Sequence, residues 1–241
     1  MSVTAAAKSP MMQLRRAPAI VLTVSLLAVA TGFGCRSFGR PPAALLHALG
    51  AQTQPTASGR AQARVTLRSP QVSGEFHGLL VATRTPTTKV RMLLLPDLGS
   101  RILDVIATQD RLWGTLPGGQ QRLDVVRGRA APRRFLTFAG LTLLEAHIPV
   151  DESRITGARA TAAGWQVHLT ATFPRLRVLA DIDTDGQVIA RHYRYRGVSW
   201  SEYVSSDSRT IEGSDFEMTI DQIVWEDDPE LPEALFLHGS S

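Results

Sequence analysis

The feature that most constrains this chain is an alternation of apolar and polar residues with a period of two, which runs through most of the sequence from Ala61 onward. Successive side chains of a β-strand point to opposite faces, so this alternation predicts strands with one buried face. Six such segments lie between Ala61 and about residue 127, and five more follow Gly164. Short turns such as Pro117–Gly119 separate the early segments, which predicts antiparallel neighbours. We therefore expect about ten or eleven antiparallel strands.

One segment, Pro132 to His147, interrupts the alternation and is predicted to be a helix. Its apolar residues Phe135, Phe138 and Leu144 recur at multiples of three, and further apolar positions widen the stripe beyond half of the circumference. A helix that lies on a sheet needs only one apolar stripe, so this breadth indicates burial on two sides. A helix inside a half-barrel and a helix merely buried between sheet and loops both fit this pattern.

The predicted fold class is mainly β with α. A sheet of ten or eleven antiparallel strands must curl or close, and a curled sheet leaves a concave apolar face that something must fill. We therefore expect a strongly curved antiparallel sheet, an incomplete β-barrel, lidded by one or more helices. The domain with this fold is predicted to span residues 61–241.

The first sixty residues have a different character. Residues 1–16 contain three basic side chains and no acid, and residues 17–34 contain no charge. A positive start, an apolar middle and small residues at the end are typical of a secretory signal, although eighteen apolar or small residues also suffice to span a bilayer. We expect a signal peptide at 1–34 and, because residues 35–60 are rich in Pro, Gly, Ala, Ser and Gln, a lipidated cysteine and flexible tether there. Within this range residues 41–50 can form one short helix, with Pro41 and Pro42 at its start and Gly50 as its stop.

Cys35 is the only cysteine, and it directly follows the apolar segment in the order Gly32-Phe33-Gly34-Cys35. This arrangement resembles the lipobox of bacterial lipoproteins. The resemblance implies cleavage before Cys35, a diacylglyceryl group on its thiol, and acylation, for example by palmitate, of the new amino terminus. The next residue is Arg36 and not aspartate, which in the Gram-negative sorting pattern favours the outer membrane. An inner-membrane location, a plain membrane anchor and ordinary secretion stay open.

The sequence contains no familiar catalytic or metal-binding motif. Its six histidines form neither HxH nor HExxH, and no GxSxG, GxxxxGK[ST] or GxGxxG occurs. Asp181–Gly186 begins like a calcium loop but is better explained as a hairpin turn. The formal charge is +4, yet the basic residues do not cluster with aromatic ones. We expect no enzyme activity, no cofactor, no metal and no nucleic-acid partner.

Two stretches resemble the LolA/LolB superfamily of bacterial lipoprotein carriers and receptors. Residues 90–113 follow the pattern strand, Pro-x-x-Gly, strand, turn, strand, and residues 220–238 contain a strand followed by the motif Leu-Pro-x-x-x-Phe. The residues that carry these motifs are Pro96 and Gly99 in the first stretch and Leu231, Pro232 and Phe236 in the second. The resemblance implies an incomplete β-barrel whose hydrophobic cavity holds the acyl chains of a lipid or lipoprotein. It also implies a periplasm-facing lipoprotein, with a possible role in lipoprotein localisation.

Eight apolar residues of the predicted strands and helix are the candidates to line such a cavity: Met92, Leu94, Trp113, Phe135, Phe138, Leu144, Leu169 and Phe173. Three functional hypotheses stay open. The first is an acyl-binding outer-membrane lipoprotein. The second is a structural envelope lipoprotein within an assembly, with a filled core and no ligand. The third is an enzyme whose site is built from dispersed residues. An open apolar cavity would favour the first, a solid core the second, and His, Asp and Arg clustered in a cleft the third.

Overall fold

A computed structural model describes residues 38–51, 58–70, 72–83, 87–96, 103–115, 122–124 and 134–237. The predicted signal peptide and Cys35 lie outside these ranges, and so do the side chains of residues 122–124, 134–136 and 222. Among the helices of the described ranges, none combines the length and the hydropathy needed to cross a membrane.

The described ranges contain two α-helices, two short 3₁₀ helices and thirteen β-strands. The α-helices are α1 (Ala43–Gly50) and α2 (Arg134–Ala146), and the 3₁₀ helices are Glu152–Arg154 and Glu233–Phe236. Six strands precede α2: β1 (Ser58–Arg68), β2 (Ser73–Thr83), β3 (Lys89–Leu95), β4 (Leu103–Thr108), β5 (Leu112–Thr115) and β6 (Arg122–Asp124). Seven follow it: β7 (Ile155–Thr161), β8 (Gly164–Leu169), β9 (Arg177–Asp183), β10 (Val188–Tyr195), β11 (Val198–Val204), β12 (Ser208–Glu212) and β13 (Glu217–Asp227).

All thirteen strands form one antiparallel sheet in the order β6-β5-β4-β3-β2-β1-β13-β12-β11-β10-β9-β8-β7. The sheet thus consists of two meanders, β1–β6 and β7–β13. The first strand of the former, β1, pairs with the last strand of the latter, β13. Its edges are β6 and β7, two strands that follow one another in the chain with α2 between them. The sheet is not closed, since its two edge strands do not pair within the described residues. The predicted fold class is confirmed, with thirteen strands in place of ten or eleven.

The packing of α2 shows that the sheet is strongly curved. A Cβ on Gly140 would lie 2.3 Å from the side chain of Leu112 in β5, while Phe138, two residues earlier, stacks on Trp200 in β11 with ring centroids 4.4 Å apart. Seven strand positions separate β5 from β11, which in a flat sheet is about 34 Å. A helix with its side chains is only about 10–12 Å wide, so the sheet must wrap around it.

Polar contacts at its C-terminal half fix α2 against the sheet. Trp200 Nε1 donates to Thr142 Oγ1 at 2.7 Å. The buried carboxylate of Glu145 pairs with the guanidinium of Arg154 and accepts from the backbone N–H of Thr172 at 2.7 Å. A buried charge is stable only when it is paired and hydrogen-bonded, so these bonds require the helix to stay where it is. The helix is held inside the curve on both sides, as the breadth of its apolar stripe predicts.

Residues 38–51 belong to the folded body. Gly39 exchanges two backbone hydrogen bonds of 2.9 Å with Ala158 of the edge strand β7, and the ring of Phe38 lies 4.0 Å from that of His168. Helix α1 places Leu45 in the main core with no exposed surface. Helix α1 lies within the short helix that the sequence suggests at residues 41–50, and apolar side chains pack it on the body. Strand β1 begins at Ser58, ahead of Ala61, and the division of the chain into signal peptide, tether and domain stays a prediction.

The outer face of β2–β5 carries a second, smaller apolar cluster. Val81 and Ile106 pack there against Phe236 of the C-terminal 3₁₀ helix, with Trp113 beside them. Beneath this segment Arg91 pairs with Asp104 at 2.8 Å and donates from Nη1 to the carbonyl of Leu235 at 2.7 Å. The expectation that Trp113 faces inward is corrected. Its neighbour Leu112 takes the inward position, and the C-terminal segment covers Trp113 from outside.

Candidate functional site

A cleft of about 720 Å³ opens at one end of strands β8–β11, beside the loop that joins β8 to β9. The apolar residues that line it come from both faces of the sheet and from this loop, and the larger ones among them include Leu169, Phe173, Leu176, Val178, Leu179 and Trp200. Most of these residues are buried members of the main core. The cleft is therefore continuous with the apolar interior and is not a purely polar depression of the surface.

The polar side of the cleft is basic. His168, Arg175, Arg177, His192 and Arg194 line it, and no carboxylate is among the described residues that do so. The three arginines are exposed and form no ion pair within the part of the chain that the structure describes. An uncompensated positive charge in a cleft attracts anions.

A buried ionic network fixes the floor of the cleft from the inner side. Tyr193, which lines the cleft, donates its hydroxyl to Glu202 Oε2 at 2.7 Å. Glu202 also accepts from Arg191 at 3.0 Å and from Arg209 at 2.7 Å. Burial by itself would raise the pKa of Glu202, but the guanidinium groups of Arg209 and Arg191 outweigh it and lower the pKa below its ordinary value. Burial raises the pKa of Tyr193 well above its usual range, so its hydroxyl stays a neutral donor.

Four aromatic rings form a column from the cleft to the interior. Tyr193 stacks on Trp200 at 5.2 Å, Trp200 stacks on Phe138 at 4.4 Å, and Phe138 meets Phe216 at 5.5 Å. Aromatic pairs at these separations attract one another beyond the apolar area that they bury. The Phe138–Trp200 pair therefore joins α2 to the wall of the cleft.

A hydrogen-bonded chain of polar side chains crosses β9, β10 and β11. His192 Nε2 lies 3.0 Å from Asp181 Oδ2, and His192 Nδ1 lies 2.9 Å from Ser201 Oγ. Gln166 Nε2 also donates to Asp181, at 2.7 Å. A neutral His192 that donates from Nε2 and accepts at Nδ1 satisfies both contacts. The described residues contain no group of three or more His, Cys, Asp or Glu that could hold a metal ion.

The structure brings only part of the predicted site together. Leu169 and Phe173 line the cleft, and Phe138 adjoins it through Trp200. Met92, Leu94 and Leu144 are fully buried in the main core, where they fill space. Trp113 lies on the outer face, and Cys35 and the side chain of Phe135 lie outside the described residues. The ligand-binding roles of the eight apolar residues and the lipidation of Cys35 stay predictions.

Sequence reasoning missed the aromatic and basic members of the cleft. Trp200 had a usable signal, because it alternates with polar neighbours in a predicted strand. Arg194 had only a weak signal, the short basic run Arg191–Arg196, which by itself indicates a solvated face. It becomes a neighbour of Arg177 only through the pairing of β9 with β10.

No protein-family model matches the sequence, and a search of curated proteins finds no match to it. Among solved structures, a domain from Vibrio parahaemolyticus described as an outer membrane lipoprotein-sorting domain has a TM-score of 0.51 at 10% identity, covering 80% of this chain and 94% of that one. The fold is LolA/LolB-like.

Two further structures cover a similar share of the chain at lower similarity. A DUF1329 family protein from Desulfovibrio piger has a TM-score of 0.49 at 13% identity, covering 81% of this chain and 95% of that one. A LolA superfamily protein from Nitrosomonas europaea has a TM-score of 0.47 at 9% identity, covering 80% of this chain and 96% of that one. The resemblance in fold drawn from residues 90–113 and 220–238 is confirmed by the Vibrio parahaemolyticus domain, and at 10% identity it concerns the fold alone.

Proposed function

We propose that this chain is a lipid-anchored protein of the bacterial envelope, facing the periplasm from the outer membrane, that binds the acyl chain of a lipid or lipoprotein in the cleft of β8–β11. The observation that carries the proposal is the cleft itself, whose apolar wall continues into the core. Its volume of about 720 Å³ falls within the range of about 300–1,000 Å³ usual for small-molecule sites. Acyl chains need apolar walls, which this cleft supplies.

The position of the N-terminal segment supports the proposal. Phe38 packs on His168, which lines the cleft, and Cys35 precedes Phe38 by three residues. Three residues span at most about 10 Å of chain. A lipid attached to Cys35 would therefore hold the cleft close to the membrane surface, where its ligands are found. The likeness to a domain described as lipoprotein-sorting agrees with this role.

The test is contact quenching of Trp200 by a brominated fatty acid, measured on the full chain. Bromine quenches tryptophan emission only at short range, and Trp200 lies in the wall of the cleft. We expect saturable quenching in the parent protein and in Trp113→Phe, whose altered residue lies on the outer face. In Trp200→Phe most of the quenching should disappear. Absence of saturable quenching in the parent, with no lipid retained in native mass spectrometry, would favour the structural envelope protein instead.

Hydrolysis is a second candidate function, favoured by the Asp181–His192–Ser201 chain. A serine, a histidine and an aspartate within hydrogen-bond reach are the arrangement of an activated nucleophile with its base. Ser201 lies inside β11 and is paired on both sides, which leaves the adjacent ladder N–H groups little freedom to bind an oxyanion. Acyl-ester hydrolysis that is lost in Ser201→Ala, with acyl binding retained, would establish this activity.

A further inference from the structure

The basic mouth of the cleft contains an unusual pair. Arg177 of β9 and Arg194 of β10 are direct partners across the ladder. Like charges directly opposite one another in a sheet are destabilising. Neither side chain has a carboxylate partner among the described residues, so nothing in this part of the protein offsets their repulsion.

Other described arginines make a contrast. Six of them pair with a carboxylate: Arg60, Arg68, Arg91, Arg154, Arg191 and Arg209. Pairing thus occurs even at exposed sites such as Arg60. The cleft is where exposed positive charge accumulates beside an apolar wall.

Backbone strain occurs at the same end of the sheet. Two described residues other than glycine have a positive φ, and both are arginines: Arg175 at 66° in the loop before β9, and Arg196 at 50° in the turn after β10. The left-handed region is unfavourable for a residue with a Cβ, and glycine would occupy it with less strain. Such strain concentrates at binding sites. Arg175 combines this backbone strain with a side chain that lines the cleft.

We infer that the cleft selects an anionic amphiphile, with an acidic phosphate or carboxylate headgroup between Arg175, Arg177 and Arg194 and an acyl chain against Leu169, Phe173 and Trp200. This inference rests on the proposed acyl-binding function and adds the charge of the ligand to it. An anion between Arg177 and Arg194 converts their repulsion into two charge-assisted hydrogen bonds. The absence of a carboxylate from the described lining leaves no competitor for those donors.

The experiment compares two phospholipids with identical brominated acyl chains, phosphatidylglycerol and phosphatidylcholine, in the same neutral detergent with the full chain. Quenching of Trp200 reports the acyl chain in both cases, so only the headgroup differs. We expect phosphatidylglycerol to bind at least tenfold more tightly in 50 mM NaCl. The preference should shrink in 500 mM NaCl, because exposed charges are screened.

The double variant Arg177→Gln/Arg194→Gln should bind both lipids with the affinity that the parent has for phosphatidylcholine. Arg64→Gln is the matched control, because Arg64 is an exposed arginine of β1 with no ion pair among the described residues, away from the cleft. It should keep the preference. Equal affinity for the two lipids in the parent, or the same loss in Arg64→Gln, overturns the inference and leaves acyl binding intact.

Three further outcomes separate the sources of the anion. Glycerol phosphate that competes as well as phosphatidylglycerol at equal concentration would show a site for free phosphate, without a role for the acyl chain. Sedimentation with anionic vesicles without quenching of Trp200 would show that the arginines bind a membrane surface. Either result overturns the inference. Absence of quenching by both lipids overturns acyl binding and the inference together.

Discussion

Phe138 offers the sharpest test of how α2 is held inside the curved sheet. Its ring is buried, stacks on Trp200 and meets the ring of Phe216 at a tilt. Removal of a buried phenylalanine side chain costs about 3–5 kcal/mol of unfolding free energy, which includes the cavity that remains. Each aromatic contact contributes about 0.5–1.5 kcal/mol beyond buried area. Because polar contacts near its C-terminal end tie α2 to the sheet and limit collapse, we expect Phe138→Ala to cost about 4 kcal/mol.

The measurement is urea unfolding, monitored by circular dichroism. For each variant we compare the free energy of unfolding and its slope against urea concentration. Phe138→Leu keeps most of the volume but loses both ring contacts, so it should cost about 1–3 kcal/mol, less than Phe138→Ala. Leu237→Ala, at an exposed side chain, should change stability by no more than about 0.5 kcal/mol. A cost below about 1.5 kcal/mol for Phe138→Ala, at an unchanged slope, would refute a fixed helix. It would support a lid that swings aside, and the variant should then also bind a fluorescent fatty acid differently from the parent.

Three further predictions concern the anchor, the ionic network and the two tryptophans. Cys35→Ser should leave an unprocessed, unlipidated precursor, visible by intact mass, and unchanged processing would indicate ordinary signal cleavage. Because the pKa of Glu202 is lowered in the fold, its contribution to stability is present above about pH 4.3 and is lost as the pH falls through the lower folded value. Glu202→Gln should therefore lower the free energy of unfolding by about 3–5 kcal/mol at pH 7. The variant should also lose less stability than the parent as the pH is lowered, and an equal loss in both proteins would contradict this assignment. Trp113→Phe removes a buried indole N–H that has no acceptor among the described residues, so it should be nearly neutral in thermal unfolding. Trp200→Phe breaks the bond to Thr142 and should cost about 1–2 kcal/mol, and equal losses in the two variants would count against this difference.

The sequence predicts the strands wherever one face is buried and the other is not. Alternation locates β1 and β9 clearly, since Val65, Leu67, Val178 and Ala180 face the core between polar neighbours. It misses β7 and β12. β7 is an edge strand with mostly exposed side chains, and β12 has one fully buried apolar residue, Ile211. A period of two cannot show in strands that bury so little.

The site was less predictable than the fold, because it depends on which strands meet. Leu169 and Phe173 belong to one apolar segment, and the alternation was enough to place them inward. Trp113 has apolar residues near it on both faces of the sheet. Its side chain lies on the outer face, where it packs in the cluster that contains Phe236, more than a hundred residues away in sequence. The pairing of Arg177 with Arg194 depends on the register of β9 against β10, which the hairpin turn at Asp183–Gly186 sets only together with a bulge near Val188.

The strand order has a consequence for assembly. Every pair in the sheet joins strands that are consecutive in the chain except one, β1 with β13, whose ends Gly59 and Asp227 are partners. Hairpins form early because their loops are short, whereas this pair must close most of the polypeptide. We therefore expect the two halves to form first and to join last, along the pairing of β1 with β13 at the centre of the sheet. Until that pairing forms, both halves display a long open edge, β1 or β13, each eleven residues in length. A chain severed between β6 and α2 loses no strand pair, and its two fragments carry complementary edges through which they can reassemble.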